Sequence, residues 1–401
     1  MKRGAPCVIW KSKVNDMIFQ KSPIPGEDAK RFFQIVPERR KMIDEASNEP
    51  LPVTYKVNEL AKALHPGTFP ARISAIREET PDVRTFTLVP AGSKTSFPFF
   101  RAGQFITLTS RIDASLVTRA YSLSSSPKQA LAGIYEVTVR RAGLFSSWLI
   151  DRSAVGTVLM VGEPSGDFYH DNLRDADTVV AVAGGSGITP FRSMIHAILE
   201  GSENFNLVLI YGARTRRDII FKEELEDLSD KRIRVIPVLS DEKADGYDYG
   251  FITADILKKY APEKASFFLC GPDAMYRFVD GELVKLGIAG KYIRKEHNAV
   301  ADRIMSNPKV FTLNVRIRDQ KYSIPALENE TLVVAMERAG LAAPSRCRSG
   351  VCGFCHSKLI SGAYSVPEGH EYRRSADFKF GFIHPCCTYP DSDMEIDVPT
   401  V

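Results

Sequence analysis

The spacing of the C-terminal cysteines limits what this chain can fold into more than any other feature. Cys347, Cys352 and Cys355 follow the pattern C-x4-C-x2-C, and a Cys-Cys pair stands downstream at Cys386 and Cys387. Three thiolates with that spacing, completed by a fourth after a long excursion, are typical of one two-iron two-sulfur (2Fe-2S) cluster. The sequence therefore predicts a small module whose loop wraps such a cluster.

Two other interpretations of the cysteines are weaker. Zinc sites usually combine two short Cys or His spacings, whereas here the distal half is a Cys-Cys pair with no residue between its members. A disulfide framework is typical of short secreted chains, and this chain has 401 residues. Small residues in the first loop, among them Gly350 and Gly353, allow backbone N–H groups to approach the sulfurs. Since Cys386 and Cys387 cannot both fill one cluster position, the residues alone leave the fourth ligand open.

The segment from Val310 to Val401 resembles the plant-type ferredoxins. It carries APSRCRSGVCGFC and then GFIHPCCTYPDSDMEI, and the family has an aromatic-Pro-x-Ser-Asp run after its fourth ligand, which here reads YPDSD. The resemblance implies an α+β fold of the β-grasp type and places the fourth ligand at Cys386. The implied cluster ligands are Cys347, Cys352, Cys355 and Cys386.

Composition and charge exclude several classes of protein. With 401 residues, of which 44% are hydrophobic and 25% charged, the chain is long enough for two to three domains. A net charge of +4 is small for this length and predicts no nucleic-acid partner. No run approaches the ~18 apolar residues of a transmembrane segment, and the first residues lack the apolar stretch of a signal peptide. Together with thiols kept as cluster ligands, these features favour a cytoplasmic protein.

Residues 1–68 form a leader whose function the sequence does not indicate. The stretch PIPGEDAKRFFQIVPERRKMIDEA begins with turn residues and then spaces its apolar residues at loosely helical intervals. A second short helix is expected around Val57 to Leu64, before His65-Pro66-Gly67. We expect an extension packed on the next domain, and a docking arm for a partner is the alternative.

Residues 69–172 show the period-two alternation of short β-strands. Segments such as VRTFTLVP, QFITLTSRI and GIYEVTVRR are rich in Val, Ile, Thr and aromatic residues and are separated by Gly and Pro. Evenly spaced short strands without long helices predict a small antiparallel barrel. One strand carries Arg119, Tyr121 and Ser122, which offer a cation for a phosphate, a flat ring for stacking and a hydroxyl for a hydrogen bond.

The motifs of this barrel come in the order RAYS, GLFSSWL and GEPSGDF. GLFSSWL predicts a helix capped by Ser146, and free N–H groups at such a helix start bind phosphate. The series resembles the flavin barrel of the ferredoxin–NADP reductase superfamily, and GLFSSWL, as a second phosphate site, favours FAD over FMN. The resemblance implies phosphate contact for Arg119, stacking on the isoalloxazine for Tyr121, a position near its reactive N5 for Ser122, and pyrophosphate contacts for Gly143 and Ser146.

Residues 173–298 alternate strands with helices, which predicts a parallel α/β sheet. DTVVAVAG reads as a buried strand, and GGSGITP turns from it into the helix FRSMIHAILE. Glycines let the backbone approach a pyrophosphate, and the helix start supplies donors. GGSGITP, YGART and FFLCGPDAM resemble motifs of the pyridine-nucleotide domain of the same superfamily. The implied nucleotide contacts come from Gly184, Gly185, Gly187, Thr189, Arg214, Cys270, Gly271 and Pro272, and Cys270 is implied to align hydride transfer.

Two positions in this domain depart from the superfamily pattern. NADP-specific relatives commonly have a Ser-Arg pair after the strand that meets the adenosine ribose, and here the pair is Ser240-Asp241. Asp241 would repel a 2′-phosphate and accept from a ribose hydroxyl, which favours NADH. Arg214 and its neighbours keep NADPH as the alternative. The aromatic residue that many relatives place after the last strand, over the flavin, is missing from Tyr292–Asn298, so the flavin face is expected to be open or covered from elsewhere.

A linker at 299–309 joins the nucleotide domain to the ferredoxin module at 310–401. The predicted protein is a multi-domain NAD(P)H-dependent reductase that passes electrons from nicotinamide through FAD and a 2Fe-2S cluster to a partner redox protein. Reductases of this domain order serve oxygenases, desaturases and hybrid-cluster proteins. The alternatives are a small-molecule reductase that acts at the flavin, with the cluster as a charge store, and a redox sensor that works through its cluster.

Overall fold

The structure, a computed structural model, describes residues 26–46, 55–59, 67–92, 96–297, 299–300 and 303–399. The chain divides into two compact units, Met1–Glu59 and Leu60–Val401. In the first unit, α1 spans Gly26–Asp44, as the helical spacing predicts, and a helical turn is present at 56–59. Of the second expected leader helix, residues 60–64 lie outside the described residues.

A six-stranded antiparallel sheet begins the second unit. Its strand order is β4-β3-β6-β1-β2-β5, so β4 and β5 lie at its two ends. The alternating strands send one face into an apolar core, in which Ala71 and Ile73 of β1 are fully buried. The strands are β1 (Thr68–Thr80), β2 (Val83–Pro90), β3 (Phe105–Ile112), β4 (Ser115–Ser122), β5 (Tyr135–Arg140) and β6 (Val158–Gly162). Two helices accompany them, α2 (Pro127–Leu131) and α3 (Leu144–Arg152).

The second sheet is parallel throughout and has the order β10-β9-β8-β7-β11-β12. Because β7 is buried on both faces, its run of Val and Ala has no polar alternation. The strands are β7 (Thr178–Gly184), β8 (Asn206–Ala213), β9 (Ile233–Leu239), β10 (Asp248–Tyr249), β11 (Ser266–Cys270) and β12 (Ile293–Lys295). The helices are α4 (Thr189–Leu199), α5 (Lys222–Glu226), α6 (Ala254–Tyr260) and α7 (Asp273–Lys285).

The third sheet, in the C-terminal region, has the order β14-β13-β19-β15-β17 and is joined by a two-stranded ribbon of β16 and β18. β13 and β14 form a hairpin with a two-residue turn, in which Ile317 pairs with Gln320 and Arg318 takes a φ of 54°. The strands are β13 (Val310–Ile317), β14 (Gln320–Leu327), β15 (Ser357–Ser361), β16 (Tyr364–Ser365), β17 (Phe382–Ile383), β18 (Tyr389–Pro390) and β19 (Met394–Val398). The helices are α8 (Leu332–Arg338) and α9 (Ser375–Lys379).

The predicted fold class, an antiparallel barrel followed by a parallel α/β domain and a β-grasp module, is confirmed. The barrel and the parallel domain share part of an apolar core, whereas the third sheet has a core of its own. Val83, Ala102 and Phe168 from the barrel belong to the same buried cluster as β7 and α4 of the parallel domain. The core of the third sheet is built from its own residues. None of the helices that the structure describes is long and apolar enough to span a bilayer.

Candidate functional site

A cavity of about 480 Å³, here called the central cavity, lies where the barrel meets the parallel domain. Tyr121 and Ser122 at the end of β4 line one side of it, and Cys270 at the end of β11 lines another. The Tyr121 ring is backed by Phe145, at 6.1 Å between centroids. Burial raises the pKa of the Tyr121 hydroxyl, so it stays protonated and able to donate. The cavity thus combines a flat ring, a hydroxyl and a thiol.

The start of α3 lies close to this cavity and differs in detail from the prediction. The residue that caps the helix is Gly143, and Ser146 is the third helical residue. The Ser146 hydroxyl folds back, accepts from the backbone N–H groups of Ala142 and Gly143 at 2.9 Å each, and donates to the Gly143 carbonyl at 3.0 Å. The prediction of a cap at Ser146 was therefore wrong, because this hydroxyl closes the loop from inside the first turn.

The glycine-rich segment after β7 forms a tight turn against the β11 edge. Gly185–Ile188 is a 3₁₀ turn that leads into α4, and the Thr189 hydroxyl donates to the Ser186 carbonyl at 2.7 Å. A Cβ atom at Gly187 would lie 1.9 Å from the Cys270 carbonyl oxygen, so only glycine fits there. The turn therefore brings its backbone directly beside Cys270 and Gly271, on the rim of the central cavity.

A second cavity of about 520 Å³, the edge cavity, opens at the carboxyl ends of β7, β8 and β9. Its walls include Gly184 and Gly185 from the glycine-rich turn and Pro272 after β11. Phe251 and Phe278 also line it, and their ring centroids are 5.7 Å apart. Such a pair of rings is suited to a flat base, and the carboxyl edge of a parallel sheet is where nucleotides bind.

Charged residues of the segments that contribute Arg214 and Ser240 to the edge cavity are paired with one another. Arg214 Nη2 lies 3.2 Å from Asp218 Oδ1, and Arg216 Nε donates to Glu242 Oε1 at 2.6 Å. Ser240 lines the cavity, and its hydroxyl donates to the carboxylate of Asp241 at 2.6 Å. Of Arg214, Arg216 and Arg217, the first two are thus already paired with carboxylates.

The residues after β12 occupy the place where the sequence lacked an aromatic ring. Glu296 and His297 line the central cavity together with Cys270. Burial, reinforced by the nearby Asp167, raises the pKa of Glu296 to about 8, so this carboxyl group carries its proton at neutral pH. Its Oε2 atom is buried with no hydrogen-bond partner among the described residues. Burial, followed by the influence of Glu296, raises the pKa of the Cys270 thiol, which argues against a nucleophilic thiolate.

Four cysteine thiols, three from the loop before β15 and one from the segment after β17, lie close together. The thiol of Cys386 interacts with those of Cys347 and Cys355, and the thiol of Cys352 interacts with that of Cys347. Cys347, Cys355 and Cys386 are buried, whereas Cys352 is exposed. Backbone N–H groups point toward sulfur as a cluster loop requires, with Cys352 N 3.4 Å from the Cys347 sulfur.

Cys387 lies behind this group. Its thiol donates to the His384 carbonyl at 3.4 Å. Gly350, whose φ is 88°, lies so close that a Cβ atom there would be 2.8 Å from the Cys387 sulfur. Within the described part of the chain, no three His, Cys, Asp or Glu side chains are arranged around a single metal ion. A 2Fe-2S cluster instead distributes its four ligands over two irons. The four thiols, each of which interacts with at least one other, fit that group.

The cluster loop abuts the central cavity. A third cavity of about 480 Å³, the loop cavity, lies between Cys352 and Phe354 of the loop, Phe105 and Asp167 of the barrel, and Glu296. Cys347 lines both the loop cavity and the central cavity. Cys347 of the cluster loop and Tyr121 of the barrel therefore line the same cavity.

Three family models match the chain in succession. They are an oxidoreductase FAD-binding domain over residues 70–170, an oxidoreductase NAD-binding domain over 181–281 and a 2Fe-2S iron–sulfur cluster binding domain over 315–391. The glycine betaine monooxygenase reductase subunit of Chromohalobacter salexigens is 30% identical over 359 residues, which cover 82% of this chain and 95% of that one. The chain belongs to the iron–sulfur flavoprotein reductases.

Other relatives agree with this membership. The ferredoxin reductase component of 3-ketosteroid-9-alpha-monooxygenase from Rhodococcus rhodochrous is 31% identical to the reductase and covers 80% of it, with 94% of the relative matched. The NADH oxidoreductase HCR of Escherichia coli is 29% identical, with coverages of 80% and 95%. Among solved structures, phthalate dioxygenase reductase has a TM-score of 0.62 at 24% identity and covers 84% of the reductase and 98% of its own chain. The predicted cofactor classes, FAD, pyridine nucleotide and a 2Fe-2S cluster, are confirmed, as is the predicted oxidoreductase function.

Most of the predicted flavin and nucleotide residues of the reductase line one or both of two cavities, whereas Gly143, Ser146 and Asp241 line neither. Those around the central cavity are Tyr121, Ser122, Gly184, Gly187, Thr189, Cys270, Gly271 and Pro272. Those around the edge cavity are Gly184, Gly185, Arg214 and Pro272. Arg119 lies apart, with its Nη1 atom 2.8 Å from Glu337 of the cluster module. Its role as a phosphate contact stays a prediction, as do the individual roles of the other residues.

Several lining residues were not anticipated from the sequence. Arg140, at the end of β5, lines both the central and the edge cavity and lies against Gly185. Phe251 comes from the loop after β10, and Phe278 lies on α7, three residues after the FFLCGPDAM motif ends. Arg140 comes two residues before Ala142, near the turn into α3.

Proposed function

We propose that this reductase delivers electrons from NADH to the terminal component of an oxygenase, and that they leave through the exposed edge of its cluster. The observation that carries the proposal is the position of the cluster loop. Cys347 forms part of the wall of the central cavity, whereas Cys352 faces solvent. The loop therefore has one side toward the flavin site and the other toward an incoming partner.

The proposed flavin site is the central cavity. Tyr121 supplies a ring for stacking, Ser122 a hydroxyl at the edge of the ring, and the start of α3 at Gly143 the N–H groups for phosphate. A flavin bound there would supply the conversion of the two electrons of one hydride into single electrons for the cluster. Cys270 and the neutral carboxyl of Glu296 line this space.

The proposed cluster ligands are Cys347, Cys352, Cys355 and Cys386. Cys386 interacts with two other ligand thiols, whereas Cys387 interacts with Cys386 and donates to the His384 carbonyl, and this difference supports Cys386 as the ligand. We expect Cys386→Ser to reduce the iron content or change the visible spectrum, and Cys387→Ser to leave both near wild type. The reverse pattern would move the fourth ligand by one residue.

NADH is the proposed donor. Arg214 is paired with Asp218, and Arg216 is paired with Glu242. The Ser240 hydroxyl donates to the Asp241 carboxylate. This arrangement leaves a carboxylate where a 2′-phosphate would need cations. A larger kcat/KM for NADPH than for NADH would overturn the assignment.

The oxygenase partner is supported by the relatives, two of which are named as reductase parts of monooxygenases. A cytoplasmic location is proposed with it, since the cluster thiols and the nucleotide donor both require a reducing compartment. Anaerobic mixing with one equivalent of NADH should bleach the flavin band and then the cluster band within the turnover time. Slow or absent bleaching of the cluster, with rapid reduction of a small acceptor at the flavin, would contradict the relay.

A further inference from the structure

The carboxylate of Glu337 joins the cluster module to the barrel. Glu337 lies in the last turn of α8 and is 3% exposed. It accepts three hydrogen bonds, from the backbone N–H of Thr118 at 2.8 Å, from Arg119 Nη1 at 2.8 Å and from Arg348 Nη1 at 2.9 Å. The first two donors belong to the barrel, and the third belongs to the cluster loop.

Each donor stands beside a residue of the proposed electron path. Thr118 and Arg119 lie on β4, the strand that ends with Tyr121 and Ser122. Because β4 is at the edge of its sheet, the N–H groups on its outer side have no strand partner, and Glu337 satisfies one of them. On the other side, Arg348 directly follows Cys347. A single carboxylate therefore links the strand under the flavin site to the loop around the cluster.

The stability of the cluster module alone does not explain Glu337. A negative charge in the last turn of a helix faces the negative end of the helix dipole, which is unfavourable. Burying charges also costs desolvation energy that an apolar contact avoids, so a buried ion pair is weak evidence for stability. What such a group provides is a defined geometry, since each of its donors must meet it at one distance and angle.

Two nearby contacts also favour a fixed position of the cluster module against the barrel. The backbone at Gly340 approaches the β3–β4 hairpin so closely that a Cβ atom would lie 2.9 Å from the Ala114 carbonyl oxygen. Arg346 and Glu163 form an ion pair at 2.9 Å on the other side of the loop. Glu337 is the most buried charge of the three contacts and the one with donors from both partners.

We propose that Glu337 is a positioning residue for electron transfer, which holds the cluster loop at a set distance and orientation from the flavin strand. The proposal rests on the flavin site and ligand set proposed above. In the step concerned, one electron passes from the reduced flavin to the oxidised cluster, and no bond in the protein forms or breaks. Glu337 neither takes the electron nor touches a cofactor. Arg119 then serves the contact between domains through the same carboxylate.

The test compares Glu337→Gln with a matched control, Glu330→Gln, in the full-length protein. Glu330 is 5% exposed and also accepts three hydrogen bonds, but from Leu327 N and from Nε and Nη2 of Arg338, all within the cluster module. The first readout needs no redox chemistry. Hydrogen exchange at the Thr118 amide should be faster in Glu337→Gln than in wild type, and it should be unchanged in Glu330→Gln.

The second readout is rapid anaerobic mixing with NADH. Because the rate of electron transfer depends on the distance between the two redox centres, Glu337→Gln should slow cluster reduction severalfold. Flavin reduction and iron content should stay at wild-type levels in both variants, and Glu330→Gln should keep the fast cluster phase. Equal slowing of flavin and cluster reduction, or unchanged cluster reduction together with faster Thr118 exchange, would overturn the proposal.

A second variant covers the case in which Glu337→Gln loses its cluster. Glu337→Asp keeps the charge and draws the carboxylate back from Thr118 and Arg119 by one methylene, so a slower cluster phase at full flavin and iron content supports the proposal. A normal cluster phase in Glu337→Asp together with faster Thr118 exchange would overturn it. A wild-type protein whose cluster NADH does not reduce would refute the relay itself, and with it the step that Glu337 is proposed to position.

Discussion

The barrel is joined to its two neighbours in different ways. Toward the parallel domain it shares a core, since Phe168 packs against Phe191 and Phe268 at ring distances of 5.7 and 5.3 Å. Arg192 of α4 crosses this boundary, where its Nη1 atom donates to Glu136 at 2.7 Å and to the Ser124 carbonyl at 3.0 Å. Apolar packing and buried ion pairs together make the barrel and the parallel domain one body.

Toward the cluster module the contacts described above are polar. Glu337 binds Thr118 and Arg119, and Arg346 binds Glu163, while the apolar core of the module is its own. The difference matches the chemistry. Hydride transfer needs atoms in near contact and so a rigid joint, whereas electron transfer tolerates a gap but depends on its length. Each joint therefore predicts its own response to mutation.

The largest effect is expected from removing the module. Deletion of residues 301–401 exposes a polar patch of the barrel, because the barrel and the cluster module share no apolar core. The remaining barrel and parallel domain should therefore stay a folded flavoprotein. It should still oxidise NADH with ferricyanide and lose most of its reduction of cytochrome c. Cys352→Ser, which keeps the whole chain, should show the same division. Full cytochrome c reduction by both variants would mean that electrons leave from the flavin.

The next prediction separates the two cores. Phe168→Ala should destabilise the barrel and the parallel domain by about 3–5 kcal/mol through the cavity it leaves, and Leu313→Ala should destabilise the cluster module by about 2–5 kcal/mol. Thermal release of flavin and bleaching of the cluster, followed in one sample, report the two parts. Each substitution should lower its own transition and leave the other within a few degrees. A common shift of both transitions would show that the module does not fold independently.

Glu296 lines both the central cavity and the loop cavity, and its protonation gives a pH-dependent prediction. Its pKa is raised from 4.5 to about 8 by burial first and by Asp167 second, so the folded state binds this proton more tightly than the unfolded state does. The stability it contributes is complete below about pH 4.5 and is lost as pH rises to about 8, by at most about 1.4 kcal/mol per pH unit. Glu296→Gln should remove that slope. Unfolding curves at pH 5, 6.5 and 8 measure it, and parallel curves for variant and wild type would contradict the shifted pKa.

The sequence predicted those features that depend on local backbone. A C-x4-C-x2-C loop and a glycine-rich turn after a buried strand each need particular residues at fixed spacing, and the structure has both. Gly187 shows why, since its neighbour across the turn leaves no room for a side chain. The order of the three sheets followed from patterns of the same kind.

Features that depend on distant segments were missed. Arg119 meets Glu337 across 218 positions, and no local pattern records that pairing. The prediction that Ser146 caps α3 failed because the residues around a serine do not show whether it precedes the helix or lies in the first helical turn. The cover of the central cavity by Glu296 and His297 likewise depends on where β12 ends relative to the barrel.

The smallest effect is expected at the rim of the polar joint. Arg346 and Glu163 are 32% and 20% exposed, and the Arg346 guanidinium also lies over the Phe354 ring at 4.1 Å. An ion pair this accessible to solvent contributes about 0–1 kcal/mol. Arg346→Ala should therefore lower the stability of the module by no more than about 1 kcal/mol and leave the rate of cluster reduction close to wild type, even though Arg346 is next to Cys347. Arg346→Lys controls for charge, because it keeps the cation and loses the flat guanidinium. If Arg346→Ala instead slowed cluster reduction as strongly as Glu337→Gln, the rim would set the orientation of the module, and the contrast between a buried anchor and an exposed edge would fail.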